Sequence, residues 1–304
     1  MDTDLDTLAT ALYVKIDDEF KMRPELRRFR PEVGLCPKLA DAELLTLAVI
    51  QALLGFGSET RFLRHASVHL RHLFPYLPGQ SGYNKRLRRA APQLRAVIRL
   101  LAVESQSWFD DVWLVDSTPV ECGRSRETTK RSDLAGYAGY GYCASHSRYF
   151  WGLRLHLACT PAGLPVAFAL TSAKDDEREV LRDLLEAEPG LLDHRHGQLI
   201  LADKGYRSRE LETFLSDQGA TLIRPALSGE APRPGAQFLK PLRQIIESIN
   251  DTLKGQLDLE GHGGRTWTGV AARVLQRILA LTTAIWHNEQ LGQRPVRSLL
   301  AYDH

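Results

Sequence analysis

Apolar residues recur at helical spacing through the first hundred positions. Asp41-Ala-Glu-Leu-Leu-Thr-Leu-Ala-Val-Ile-Gln-Ala-Leu-Leu54 joins that spacing to an acidic first turn and is stopped by Gly55 and Gly57. A second helix is predicted from Ser58 to Leu73, broken by Pro75 and Pro78, and a third from about Ser81 to Ser107, bent at Pro92. Short helices with tight breaks and a basic last member suit a helix-turn-helix-like module, although any small helical bundle shares the pattern.

At Trp108 the period changes. Asp111-Val-Trp-Leu-Val-Asp116 reads as a short strand ending in an acid, and Trp151 to Thr160 alternates as a strand that Pro161-Ala-Gly163 turns into a return strand over Leu164 to Thr171. Asp175 to Glu188 predicts a helix, Gln198 to Asp203 a second strand ending in an acid, Ser208 to Gln218 a helix, and Ala220 to Arg224 a strand. Helices over Leu239 to Leu257 and Thr268 to Gln290 complete the order, after a Gly/Pro-rich loop from Ser228 to Gly235. The fold class is α/β: a mixed sheet flanked by helices, preceded by an all-α region. The stretch from Thr118 to Tyr149 fits no regular element. It holds Gly136-Tyr-Ala-Gly-Tyr-Gly-Tyr142 after Arg124, Arg126, Lys130 and Arg131. Basic residues beside aromatics suit stacking and phosphate contact, and a plain surface loop fits as well.

Charge adds a partner. The net charge of +2 is bland, but no Asp or Glu occurs from Arg61 to Val103. That stretch carries Arg61, Arg64, Arg71, Lys85, Arg86, Arg88, Arg89, Arg95 and Arg99. A solvated helix face usually mixes both signs, so the asymmetry favours a polyanion-binding surface. Cys36, Cys122, Cys143 and Cys159 form no C-x-x-C pair, which supports neither a disulfide framework nor structural zinc and fits a reducing, cytoplasmic setting. No apolar run is long enough for a membrane span, and the acidic Met1 to Asp6 does not read as a secretory signal. His194-Arg-His196 lacks a nearby carboxylate and reads as a solvated loop. Cys143 and His146 lack an orienting partner for thiol chemistry. Serine-hydrolase and P-loop motifs are absent from the sequence. Trp267 and Trp286 read as core.

The chemistry lies in acids. Asp116 follows Trp-Leu-Val and Asp203 follows Ile-Leu-Ala, so both fall where strands end and open sheets place functional groups. Two carboxylates on adjacent strands repel unless cations hold them, and magnesium takes oxygen ligands. A pair of such ions about 3.5–4 Å apart activates a nucleophile and stabilises a leaving oxygen of a phosphodiester. A helix nearby supplies a third acid: Arg243 and Glu247 are four apart, and Asn250 and Lys254 continue that face at α-helical spacing. On spacing alone a surface salt-bridge helix fits equally.

Asp116-Ser-Thr-Pro119, Ala202-Asp-Lys-Gly-Tyr206 and Arg243-x3-Glu247-x6-Lys254 together resemble insertion-sequence transposases of the DDE superfamily, over about 60% of the chain from Trp108 to Gln290. The resemblance implies an RNase H-like core in which Asp116, Asp203 and Glu247 are catalytic and bind two Mg²⁺ ions, with Mn²⁺ able to substitute. It implies metal-dependent hydrolysis at transposon ends and strand transfer of the 3′-OH into target DNA. Double-stranded DNA is then the partner, as terminal inverted repeats and target, bound by a homo-oligomer in the bacterial cytoplasm at the nucleoid. Arg243, Lys254, Asn250, Lys204, Arg86, Arg88 and Arg89 are the expected DNA-binding residues. Relatives often have a tyrosine where this chain has Lys240. Asp175-Asp176 reads as a helix cap with a lesser metal-related possibility. The expected domains are a helical DNA-binding region at 1–107, a catalytic domain at 108–292 and a tail at 293–304. A metal-dependent nuclease without strand transfer, and a DNA-binding transposase remnant, stay open beside this reading.

Overall fold

A computed structural model describes residues 3–27, 36–123, 126–143, 147–188, 190–193, 195–226, 228–231, 233 and 235–293. Arg124, His146 and His194, named above, lie outside the described residues. The chain forms two compact units. One gathers the helices up to Ser105 with Thr252–Gly264 and the stretch from Thr268 onward, and the other holds Gln106–Asp251 and Arg265–Trp267.

The helical unit begins with α1 (Thr3–Met22), α2 (Asp41–Leu53), α3 (Glu59–His69), α4 (Gln80–Arg89) and α5 (Ala91–Glu104). The third helix expected from sequence is two. Ala90 closes α4 and opens α5, and Pro92 sits at the start of α5, where its missing N–H costs nothing.

The sheet unit contains β1 (Val112–Gly123), α6 (Arg126–Arg131), β2 (Gly139–Cys143), β3 (Arg148–Cys159), β4 (Pro165–Ser172), α7 (Glu177–Glu186), β5 (Gln198–Leu201), α8 (Arg209–Asp217), β6 (Ala220–Ile223) and α9 (Ala236–Asp251). A five-residue π turn, Thr252–Gln256, follows α9, and α10 (Trp267–Gln290) ends the described chain.

Helix α10 falls, apart from its first residue, in the helical compact unit. Nearly every residue from Val270 to His287 is buried, including Arg273, Gln276, Arg277, Thr282 and Thr283. A helix buried on all sides is the centre of a bundle, and its sequence pattern does not say which bundle. Arg273 and Gln276 join a buried network, while Thr283 Oγ1 and Trp286 Nε1 are buried without a partner among the described residues. Arg273 pairs with Glu59 of α3 and donates to Gln276 at 2.8 Å. Gln276 donates to the Ala48 carbonyl at 2.7 Å, and Glu59 also accepts from Gln80 and Asn84 of α4 at 2.7 Å each.

The six strands form one sheet in the order β2-β3-β1-β5-β6, with β4 also paired to β3. The β1–β3, β2–β3 and β3–β4 pairs are antiparallel, while β1–β5 and β5–β6 are parallel. An antiparallel set joined to parallel βα units, with helices flanking the sheet, is the RNase H-like arrangement.

The stretch expected to be irregular, 118–149, instead continues β1 and adds α6 and the edge strand β2. Pro119 and the Gly-Tyr alternation hid it. β1 pairs β5 only from Val112 to Leu114, so Pro119 lies where that edge has no ladder partner in β5 and its missing N–H is tolerated. In β2 the glycines face inward and Tyr140 and Tyr142 face out. A bulge at Cys122 lets Gly152 press on β1. A Cβ there would run into the Val120 carbonyl and lie 2.9 Å from the Cys122 amide nitrogen. Gly152→Ala is therefore expected to lower stability by about 1–3 kcal/mol, read from the urea midpoint. An unchanged midpoint would mean the bulge absorbs the methyl.

Candidate active site

β1 runs on past the end of its pairing with β5, which leaves Asp116 beyond the carboxyl end of the neighbouring parallel strand. Asp203 follows β5 by two residues and caps the 3₁₀ turn Lys204–Tyr206, its Oδ1 accepting from the Gly205 N–H at 2.7 Å. The two acids expected from sequence thus meet at one end of the sheet. Asp116 is pushed up to about 6. Burial is the main cause, Glu177 and Asp203 add to it, and the Ser117 N–H and the Asn250 amide oppose it.

Helix α9 contacts β1 and buries Ile246, Ile249 and Asn250. Asn250 is 9% exposed and donates to Asp116 Oδ2 at 2.7 Å. It was expected to meet DNA, but burial commits its amide to orienting Asp116. Glu247 stands three residues earlier, about 4.5 Å along the helix axis. Its side chain is 57% exposed and bonded to Arg243 Nε at 2.9 Å. The α-helical register that would carry Lys254 onto this face ends at Asp251, because a π turn advances more residues per turn.

Sequence reasoning missed the groups beneath the acids. Ser117 donates to Glu177 Oε1 at 2.5 Å. Arg154 of β3 donates to the same oxygen, to Ser117 Oγ at 2.9 Å and to the Tyr142 carbonyl at 3.1 Å. His156, two residues on, is buried, bonds Thr171 at 3.1 Å, and is held down to about 4 by burial and the Arg154 charge. Arg154 and His156 alternate with Leu153, Leu155 and Leu157, a pattern that reads as a solvated strand face. Here α7 covers that face. Asp176 caps α7 as expected. Its carboxylate accepts the Arg178 N–H at 2.9 Å and is held down to about 2 by Arg178. Asp175 accepts from the Ser172 N–H at 2.9 Å.

The donors suit a hard cation: all are oxygens, and Asp116 has a neutral amide rather than a cation as its side-chain partner. As they stand, no group of three or more His, Cys, Asp or Glu among the described residues is assembled to hold a metal ion.

Of the expected DNA-binding residues in the helical unit, Arg89 is exposed and Arg88 half-buried. Arg86 is spent within the unit, donating to the Leu39 carbonyl and to Asp41, both at 2.8 Å. Lys204 is exposed beside Asp203. Among the described residues no helix is long and apolar enough to cross a membrane.

The strand order and the flanking helices define an RNase H-like fold. A family model described as Transposase DDE domain matches residues 107–283, more than half the chain. The chain belongs to the DDE transposase family. No curated protein matches it.

Proposed function

We propose that this transposase cuts DNA at its element's ends and joins the freed 3′-OH to target DNA, with Asp116, Asp203 and Glu247 as the catalytic carboxylates. The observation that carries the reading is Asp116 beside Asp203 beyond the carboxyl end of β5, with Glu247 one turn from the amide that orients Asp116. These acids would hold two Mg²⁺ ions, or Mn²⁺ in their place, whose chemistry is to generate the nucleophile and stabilise the leaving oxygen. Asn250 fixes the Asp116 carboxylate. Arg243 releases Glu247 and turns to a DNA phosphate, and Lys204 offers a second phosphate contact. Lys254 contributes positive charge from within the π turn.

Terminal inverted repeats are gripped by the basic surface of α3 and α4, chiefly through phosphates, and a homo-oligomer pairs the ends. Domain roles follow the two compact units, with DNA-end binding in the helical unit and chemistry in the sheet unit. Arg89→Ala is expected to weaken binding of duplex ends and reduce the salt slope by about one. Arg86→Ala is expected to lower Tm and leave the salt slope unchanged. Equal slopes for both variants would remove α4 from the interface.

Strand transfer is tested with pre-cleaved ends and a supercoiled target. Joined products support the reading. Nicking without joining would make the protein a nuclease.

A further inference from the structure

We infer that Tyr206 is a positioning residue of this active site, its hydroxyl holding the carboxylates of Asp116 and Asp203 in register. The inference rests on the proposed role of those two acids. Tyr206 is fully buried, yet its hydroxyl has no hydrogen-bond partner among the described residues. A ring that only filled space would do so better as phenylalanine, because a buried hydroxyl without a partner is destabilising. The oxygen is therefore the feature to explain.

The backbone around it is held from two sides. The Tyr206 N–H reaches the Asp203 carbonyl at 3.3 Å inside the turn that Asp203 itself caps. Arg178, next to Glu177 on α7, donates to the Arg207 carbonyl at 3.2 Å and clasps α7 to the end of the same turn. Burial first, then the Glu177, Asp116 and Asp203 charges, raise the pKa of the hydroxyl well above the usual tyrosine range, against the opposing charge of Arg154.

The neighbouring bonds leave acceptors over. Glu177 Oε1 is taken by Ser117 and Arg154, Asp116 Oδ2 by Asn250, and Asp203 Oδ1 by Gly205. Glu177 Oε2 and Asp203 Oδ2 take no hydrogen bond among the described residues, while Asp116 also accepts the Ser117 N–H, and the Tyr206 hydroxyl and Arg154 Nε are buried donors without a partner there. Donation from Tyr206 to one of these carboxylates, or to a water between two, would fix their rotamers as hydrogen bonds to ligating carboxylates do elsewhere.

Tyr206→Phe in the full chain tests this, because it removes one oxygen and keeps the ring. Tm, affinity for duplex ends, Mn²⁺ affinity by electron paramagnetic resonance and end nicking are read for both proteins. The expected result is Tm and DNA affinity equal to or above wild type, with Mn²⁺ affinity and nicking rate each lowered by about 10–100-fold. Tyr206→Phe that matches wild type in Mn²⁺ affinity and nicking would overturn the inference and leave the acids standing. Wild type that binds no more Mn²⁺ than Asp203→Asn would overturn the reading of the acids, and the inference with it. A drop in Tm that tracks the loss of Mn²⁺ binding, with Tyr206→Leu losing no more than Tyr206→Phe, would assign the hydroxyl to folding and also overturn it.

Discussion

Asp116→Asn is expected to give a protein that is more stable than wild type without metal and has lost end cleavage. Asp116 sits among Glu177 and Asp203 with a neutral amide as its side-chain partner, and its pKa is raised to about 6. The ionised acid therefore strains the metal-free fold. Its folded pKa lies above the ordinary value of 3.8, so its contribution is fully present below that value and lost as pH rises through about 6. Asparagine keeps an oxygen for the Asn250 amide and carries no charge. In EDTA the variant should gain about 1–3 kcal/mol over wild type at pH 8, an advantage that closes toward pH 4 as the wild-type acid takes up its proton. Added Mg²⁺ should then raise the Tm of wild type and not of the variant. Urea titrations at the two pH values decide it. An advantage that persists at pH 4 would mean the charge of Asp116 is not its source.

Arg273→Met is expected to be the most damaging single change in the helical unit. It leaves the Glu59 carboxylate buried without its cation, a loss of about 3–5 kcal/mol. Methionine fills the volume of the arginine stem, so packing accounts for little of this. The double variant Glu59→Gln/Arg273→Met removes both charges. It should recover most of the loss, since the glutamine carbonyl still accepts from one of Gln80 and Asn84 and the other amide can turn its oxygen to the new NH2. Equal stability of the single and double variants in urea would show that the charge pair is not what stabilises the contact between α3 and α10.

Much of this protein could be read from its sequence. The helical period of α2, the alternation of β3 and the apolar runs leading to Asp116 and Asp203 are local patterns, and local patterns survive folding, although β1 continues past Asp116 to Gly123. The break at Ala90 escaped because Pro92 is compatible with both a bend and a new start. β2 escaped because glycines at its inward positions remove the apolar signal that marks a strand. The membership of α10 depends on what surrounds it, which no period encodes. The same limit applied at the site. Asp203 stands just past β5 and Asp116 lies within β1 level with it, and both were visible as acids after short apolar runs, whereas Arg154, Glu177 and Tyr206 gain meaning only when β3, α7 and the turn after β5 converge. Asn250 was found on the correct helix but assigned to DNA, because spacing gives a face and not the partner that faces it.

The central claim is that three carboxylates on two strands and a helix cut DNA. It is tested most directly by incubating DNA that carries the element's own ends with wild type, Asp203→Asn and Glu247→Gln, in Mg²⁺, Mn²⁺ and EDTA. Metal-dependent nicks leaving a 3′-OH at the ends are expected for wild type, with both variants binding the ends and cutting neither. A Glu247→Gln protein that nicks at the wild-type rate would contradict the assignment, as would wild type that binds the ends and never nicks them with either metal.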